Sequence, residues 1–175
     1  MNGASFAEGG LSLRAVEKRD LDPILRLRND QDTWIYLTDP RIFSAADQDG
    51  WFSKIGVSSG KWYLTAFDDG HPFVGLVRLD EHDPINRSIR IGADVVPELR
   101  GKGFGKRIYA AIRKYCFDHL NVHRLWLCVL ETNARAIGLY TTQGFREEGR
   151  LREAIWRGGR YVDYIVMSLL DREAR

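Results

Sequence analysis

The chain has 175 residues, of which 44% are hydrophobic and 29% charged, and its formal net charge is +2 at pH 7. This length can bury one sizeable core and is short for two independent domains, and the composition is typical of a globular chain. So small a net charge gives no reason to expect nucleic acid or a membrane as a partner. We predict one domain over residues 11–175, preceded by a flexible, glycine-rich tail over residues 1–10.

Cysteine and histidine spacing indicates neither a disulfide framework nor a metal site. The two cysteines, Cys116 and Cys128, form no CxxC motif, and the four histidines form no HExxH motif. We find no secretory signal pattern and no run approaching the roughly 20 apolar residues that a membrane span requires. The expected location is therefore cytoplasmic, without a bound metal.

The first half of the chain predicts a strand, two helices and a hairpin. Residues 11–17 suit a short strand, and residues 19–30 suit a helix with its apolar side chains on one side. Ser44 occupies the N-cap position of a second helix whose first turn is acidic. Asp69 and Gly70 separate two aromatic and β-branched runs, which is the pattern of an antiparallel hairpin.

The second half predicts a strand-helix-strand crossover followed by a helix and two strands. Residues 88–96 alternate with period two, apolar residues recur at helical spacing from Phe104, and residues 124–130 form a continuous apolar run. Such a βαβ unit is almost always right-handed. Asn133 opens another helix, Gly144 closes it, and two strands flank a Gly158-Gly159 turn. The predicted order is β αα βββ α β α ββ.

Residues 97–112, PELRGKGFGKRIYAAI, place glycines and basic residues where the predicted strand gives way to a helix. The first turn of a helix presents amide groups without intrahelical partners, and glycines let a ligand approach them closely. A phosphate or pyrophosphate is the expected ligand. The Walker pattern fails because Arg107 stands in place of the hydroxyl residue. The dinucleotide pattern fails because Lys106 replaces its third glycine.

Two motifs resemble the GNAT superfamily of N-acetyltransferases: RGKGFG at residues 100–105 and NARAIGLYTTQGF at residues 133–145. The resemblance implies an α/β (α+β) GNAT fold, with a mixed, mostly antiparallel sheet of six to seven strands and about four helices. It also implies acetyl-CoA as co-substrate and direct attack by a primary amine in a ternary complex. Both ends of the chain resemble the branch that acetylates ribosomal-protein alanine, polyamines and amino-sugar nucleotides.

The resemblance assigns roles to individual residues. Loop amides would bind the pyrophosphate, a strand amide would hold the thioester oxygen, and Asn133 would contact the CoA arm. Tyr140 would protonate the departing thiolate, which suits a phenol with a reference pKa of about 10. The expected cofactor-binding residues are Val95, Val96, Arg100, Gly101, Lys102, Gly103, Phe104, Gly105, Lys106 and Asn133.

The general base and the acceptor stay open at the level of sequence. Asp94, Glu81, His82 and a water chain are candidates for the base. Cys128 stands where many peptide N-terminal acetyltransferases carry a glutamate, which disfavours a protein substrate. The favoured acceptor is an amino-sugar nucleotide. The alternatives are a protein N-terminus, a polyamine or, with no catalysis, a role as an acyl-CoA-binding module. A monomer and a homodimer are both compatible with the sequence.

Overall fold

The computed structural model describes residues 4–56 and 60–174 and contains one sheet with helices packed against it. The strands are β1 (Ser5–Glu8), β2 (Leu11–Ala15), β3 (Trp62–Asp68), β4 (His71–Asp83), β5 (Ser88–Val95), β6 (Arg124–Leu130), β7 (Arg146–Arg157) and β8 (Arg160–Leu170). The helices are α1 (Leu21–Asn29), α2 (Gln31–Trp34), α3 (Ala45–Phe52), α4 (Phe104–Lys114) and α5 (Ala134–Thr142). Among the described residues, no helix is long and apolar enough to cross a membrane.

The sheet runs in the order β1-β2-β3-β4-β5-β6-β8-β7. All neighbouring strands are antiparallel except β5 and β6, which are parallel and joined through α4. This arrangement confirms the predicted fold, including the two-residue turn between β3 and β4, where Asp68 pairs with His71. The sheet has eight strands where the sequence predicted six to seven.

The additional strand lies within the segment predicted to be a flexible tail. Residues 1–3 of that segment lie outside the described residues, but β1 pairs with β2 from Ser5 opposite Arg14 to Glu8 opposite Leu11. Gly9 and Gly10 form the connecting turn with φ angles of 54° and 73°. Both angles suit glycine, and a Gly-Gly pair between two strands is a hairpin signal. The tail prediction is therefore wrong for residues 5–8.

Local hydrogen bonds explain where the helices before β3 begin. The Ser44 hydroxyl accepts the Asp47 N–H at 3.2 Å, and the Asp47 carboxylate accepts the Ser44 N–H at 2.9 Å, which confirms the predicted N-cap. The four-residue helix α2 was not predicted. It begins because the Asp30 carboxylate accepts the Thr33 N–H at 2.9 Å.

Strands β5 and β6 separate partway along their length. Their pairing extends only from Ser88 opposite Arg124 to Arg90 opposite Trp126. Beyond that point β5 continues to Val95 beside β4, and β6 continues to Leu130 beside β8. The result is an opening in the middle of the sheet, and we refer to residues 91–95 as the open end of β5.

Helices α1 and α3 lie on one face of the sheet, which we call the α1/α3 face. Asp20, at the start of α1, accepts hydrogen bonds from Arg14 on β2 and Thr65 on β3. Trp51 on α3 packs against Tyr63 on β3 with ring centroids 4.9 Å apart. Directly paired residues of antiparallel strands point to the same face, so the register extends this face across β4 to β5.

Candidate active site

A cavity of about 800 Å³ lies at the open end of β5, where Ala93, Asp94 and Val95 line it. Three elements contribute to it besides β5: the segment of α2 and the residues after it, the loop and first turns of α4, and the start of α5. Its lining includes Tyr36, Asp94, Val95, Arg100, Gly101, Gly103, Gly105, Lys106, Tyr109, Asn133, Arg135 and Tyr140. The two sequence motifs, 33 residues apart, therefore meet in one cavity.

The glycine-rich loop exposes a run of backbone amides at this cavity. Gly101 and Gly103 have φ angles of 75° and 85°, a conformation that favours glycine. The Arg107 N–H donates to the Gly103 carbonyl at 3.2 Å, and no described residue accepts a bond from amides 101–106. Gly105 has a different role, because a Cβ there would lie 3.0 Å from Leu139 Cδ2 on α5. The loop therefore fits an anion such as a pyrophosphate.

The basic side chains of the loop differ in role: one is bonded to other parts of the chain, and another lines the cavity. The Arg100 guanidinium is committed elsewhere, donating to the Val95 carbonyl at 3.0 Å and to Asp30 at 3.2 Å. Lys106 lines the cavity, and Lys102 is exposed on the loop outside it. Arg135, which the sequence analysis did not single out, lines the cavity from α5. Its position in the first turn after Asn133 was the available signal.

The two valines proposed to hold a thioester oxygen differ in position. Val95 lines the cavity. Val96 is buried, and its N–H donates to the Val74 carbonyl at 3.0 Å. That amide is therefore not free for a ligand, so the prediction for Val96 is wrong. Phe104 also lies outside the cavity lining. Its side chain is buried and packs edge-on against His71, with ring centroids 5.3 Å apart.

Asn133 is the N-cap of α5 and Tyr140 lies on the second turn of the helix, and both line the cavity. The Asn133 side-chain oxygen accepts the Ala136 N–H at 3.1 Å, so the residue caps the helix while its amide nitrogen has no bond among the described residues. Burial raises the pKa of Tyr140 to about 12, and the neighbouring Tyr109 hydroxyl opposes that rise. The Tyr140 phenol therefore keeps its proton throughout the neutral range.

Of the three side chains proposed as general base, the structure brings one to the cavity. Asp94 lines it from β5, and burial raises the pKa of its carboxyl against the opposing charges of Arg78, Arg100 and Arg28. Glu81 is instead paired with Arg90 at 2.6 Å, and His82 packs on Trp62 with ring centroids 5.3 Å apart. Neither Glu81 nor His82 lines this cavity.

The structure disfavours Cys128 as a nucleophile. Burial raises the pKa of its thiol, so the thiolate that would attack is scarce at neutral pH.

Within the described residues, no cluster of three or more His, Cys, Asp or Glu side chains could hold a metal ion. Among the aromatic residues, Tyr36 lines the cavity, whereas Trp156 and Tyr161 pack together and are exposed near the turn between β7 and β8.

Comparison with known proteins agrees with this geometry. The acetyltransferase (GNAT) domain family matches residues 11–146. Spermidine N(1)-acetyltransferase of Vibrio cholerae is 32% identical over 161 residues, covering 92% of this chain and 93% of the relative. A crystal structure of the Vibrio cholerae enzyme with CoA and spermine superposes with a TM-score of 0.89 at 32% identity, covering 95% and 99% of the two chains.

Another relative of this chain is a Bacillus subtilis protein provisionally named as a ribosomal N-acetyltransferase. The two are 33% identical over 121 residues, which cover 67% of this chain and 61% of the relative. The chain belongs to the acetyltransferase (GNAT) family, as the two sequence motifs predicted. It is an N-acetyltransferase of this family, with acetyl-CoA as co-substrate.

Proposed function

We propose that the cavity transfers an acetyl group from acetyl-CoA to the primary amine of a small molecule. One observation carries the proposal: Gly101, Gly103, Gly105 and Lys106 of the loop with free amides line a single cavity together with Asn133 and Tyr140. In this proposal the amides and the first turn of α4 bind the pyrophosphate. Asn133 contacts the pantetheine arm with its free amide nitrogen, and the arm extends along the open end of β5.

The proposed chemistry is a direct transfer with one proton donated and one removed. The amine nitrogen attacks the thioester carbonyl carbon, the carbon–sulfur bond breaks, and the thiolate leaves with the bonding electron pair. Tyr140 donates its proton to that sulfur, and Tyr109 lies beside it, with ring centroids 5.1 Å apart. Asp94, on the same cavity, accepts the proton that the amine loses, directly or through water.

The relatives also bear on which amine accepts the acetyl group. The names of the relatives favour a polyamine over the amino-sugar nucleotide that the sequence suggested. A polyamine is therefore a second candidate, argued from similarity alone. A protein N-terminus has weaker support, because the relative named for ribosomal acetylation matches over a shorter part of both chains.

Release of free CoA, followed with a thiol reagent, tests the proposal against amino sugars, polyamines, amino acids and N-terminal peptides. We expect turnover with a small amine. In Tyr140→Phe, kcat at saturating acetyl-CoA should fall by about 100-fold or more, the usual size of a general-acid contribution. Tyr161→Phe is the matched control, because Tyr161 is 59% exposed outside the cavity. Unchanged kcat in Tyr140→Phe would remove that residue from the chemistry.

A further inference from the structure

A group of arginines surrounds the open end of β5 on the α1/α3 face. Tyr63 on β3 pairs with Arg78 on β4, and Arg78 pairs with Gly92 on β5. These three positions therefore lie on the α1/α3 face. Asp94 comes two residues after Gly92 on the same strand, so it lies on this face too. The register thus places Arg78 on the face from which an acceptor can approach Asp94.

Arg78 lies directly across the backbone of β5. A Cβ at Gly92 would be 2.7 Å from Arg78 Nη2 and 3.2 Å from Cζ, so only glycine leaves room for the guanidinium there. Gly92 lies beyond Arg90, the last residue of β5 that pairs with β6. The guanidinium of this β4 residue therefore lies over β5 at Gly92, two residues before Asp94, and just outside the residues that line the cavity.

The terminal nitrogens of Arg78 are available to a ligand. Arg78 Nε lies 3.2 Å from Asp80 Oδ2, and 32% of the arginine side chain is accessible. No described residue forms a hydrogen bond with Nη1 or Nη2 of Arg78. A guanidinium with two free terminal nitrogens matches the two oxygens of a carboxylate or a phosphate.

Unpaired buried atoms cluster around this guanidinium. In the described part of the chain, Arg78 Nε, Asp80 Oδ1 and Arg90 Nε are buried without a hydrogen-bond partner. Arg90 also donates to Glu81 at 2.6 Å and lies near the Tyr164 hydroxyl at 3.4 Å. Native proteins rarely leave such atoms unpaired, so water or a ligand completes this cluster, which lies beside the cavity-lining residues Ala93 and Asp94 of β5.

The charges beside this cluster disfavour a polycation. The Arg28 guanidinium lies 3.8 Å from the Phe43 ring centroid and has no carboxylate partner among the described residues. Arg28, Arg78 and Arg100 all lie near enough to act on the charge of Asp94. Arg78 and Arg100 are paired with Asp80 and Asp30, so Arg28 is the guanidinium whose charge a second ammonium group of a polyamine would meet, and like charges placed together in a binding site weaken binding.

We infer that Arg78, held across Gly92, binds a carboxylate or phosphate of the acceptor, so that the acceptor is an amine carrying its own anionic group. Arg78 is then a specificity-determining residue. It fixes one end of the acceptor while the amine faces Asp94 and Tyr140. The inference rests on the proposed acetyl transfer and deepens it, since it names the class of amine.

Matched pairs of amines test the inference on the unaltered protein. Amino acids are compared with their amides, O-phosphoethanolamine with ethanolamine, and spermidine serves as the polycation. We expect kcat/KM to favour the anionic member of a pair by about 10- to 100-fold, the usual range for a charged hydrogen-bonded contact. The amino acid and phosphoethanolamine arms show whether the anion is a carboxylate or a phosphate.

Variants assign the preference to Arg78. Arg78→Gln should abolish the preference by lowering kcat/KM for the anionic amine alone, and Arg78→Lys should keep part of it. Gly92→Ala keeps the arginine but displaces its guanidinium, so it should give part of the same loss. Arg172→Gln, which removes an exposed arginine after β8, is the control and should keep the full preference. A full preference in both Arg78→Gln and Gly92→Ala would overturn the assignment.

The outcomes separate this inference from the proposed function. Faster acetylation of spermidine than of every anionic amine would overturn the inference and leave acetyl transfer intact. Binding of acetyl-CoA without CoA release for any amine would refute the proposed function, and the inference with it. If Arg78→Gln does not fold, as thermal unfolding would show, the matched pairs on the unaltered protein and Gly92→Ala still decide.

Discussion

At the scale of single residues, a buried ion pair ties α1 to the sheet. Arg14 donates two hydrogen bonds to Asp20, at 2.7 and 2.8 Å, and both residues are buried. Asp20 also accepts the Thr65 hydroxyl and the Glu17 N–H, each at 2.9 Å. We predict that Asp20→Asn lowers the free energy of unfolding by about 3 kcal/mol, because it leaves a buried guanidinium without its counter-charge. Urea unfolding at pH 7 measures this loss.

The pH dependence of the stabilisation by Asp20 follows from the direction in which the pKa of its carboxyl is shifted. Burial raises the pKa of Asp20, but the bonds from Arg14, Glu17 and Thr65 outweigh it, and the net pKa is lowered. The ionised Asp20 carboxylate therefore stabilises the folded chain fully above the unfolded-state pKa of about 4, and this stabilisation is lost as the pH falls below that value. Asp39→Asn, which removes an exposed partner of Arg41, is the control and should cost much less. Equal losses in the two variants would contradict the prediction.

At the scale of helices and strands, the close approach of α4 and α5 shapes the donor end of the cavity. We predict that Gly105→Val displaces Leu139 and raises the dissociation constant for CoA about tenfold or more, since its side chain would occupy the contact at 3.0 Å. Calorimetric titration measures this change. Gly138→Ala is the matched control, because a Cβ on this α5 residue meets no atom within 4 Å, and affinity should stay unchanged. Unaltered affinity in Gly105→Val would show that α4 and α5 can separate freely.

The same scale shows what sequence patterns can predict. The βαβ unit, the Asp69-Gly70 hairpin and the Ser44 cap depend on local periodicity or on adjacent residues, and the structure contains all three. The commitment of Arg100 to Asp30 depends on residues 70 positions apart. The passage of Arg78 over Gly92 depends on strand register, and no local pattern encodes either contact. Side-chain partners across the sheet therefore required the structure, although the motif residues at the cavity did not.

At the scale of the whole molecule, the donor site joins the loop before α4 to the start of α5, so a donor bound there should stabilise the folded chain. At a CoA concentration 100 times its dissociation constant, the gain is about 2.7 kcal/mol. For a chain of this length, that gain corresponds to a rise in Tm of roughly 5 to 10 °C.

Pantetheine separates the loop from the rest of the site, because it lacks the pyrophosphate that amides 101–106 are proposed to bind. We predict that pantetheine at the same concentration raises Tm far less than CoA does, as measured by scanning calorimetry. Most of the stabilisation should therefore disappear with the pyrophosphate. An equal rise with both ligands would mean that the glycine-rich loop does not bind the donor, and the anion site would then have to be sought elsewhere.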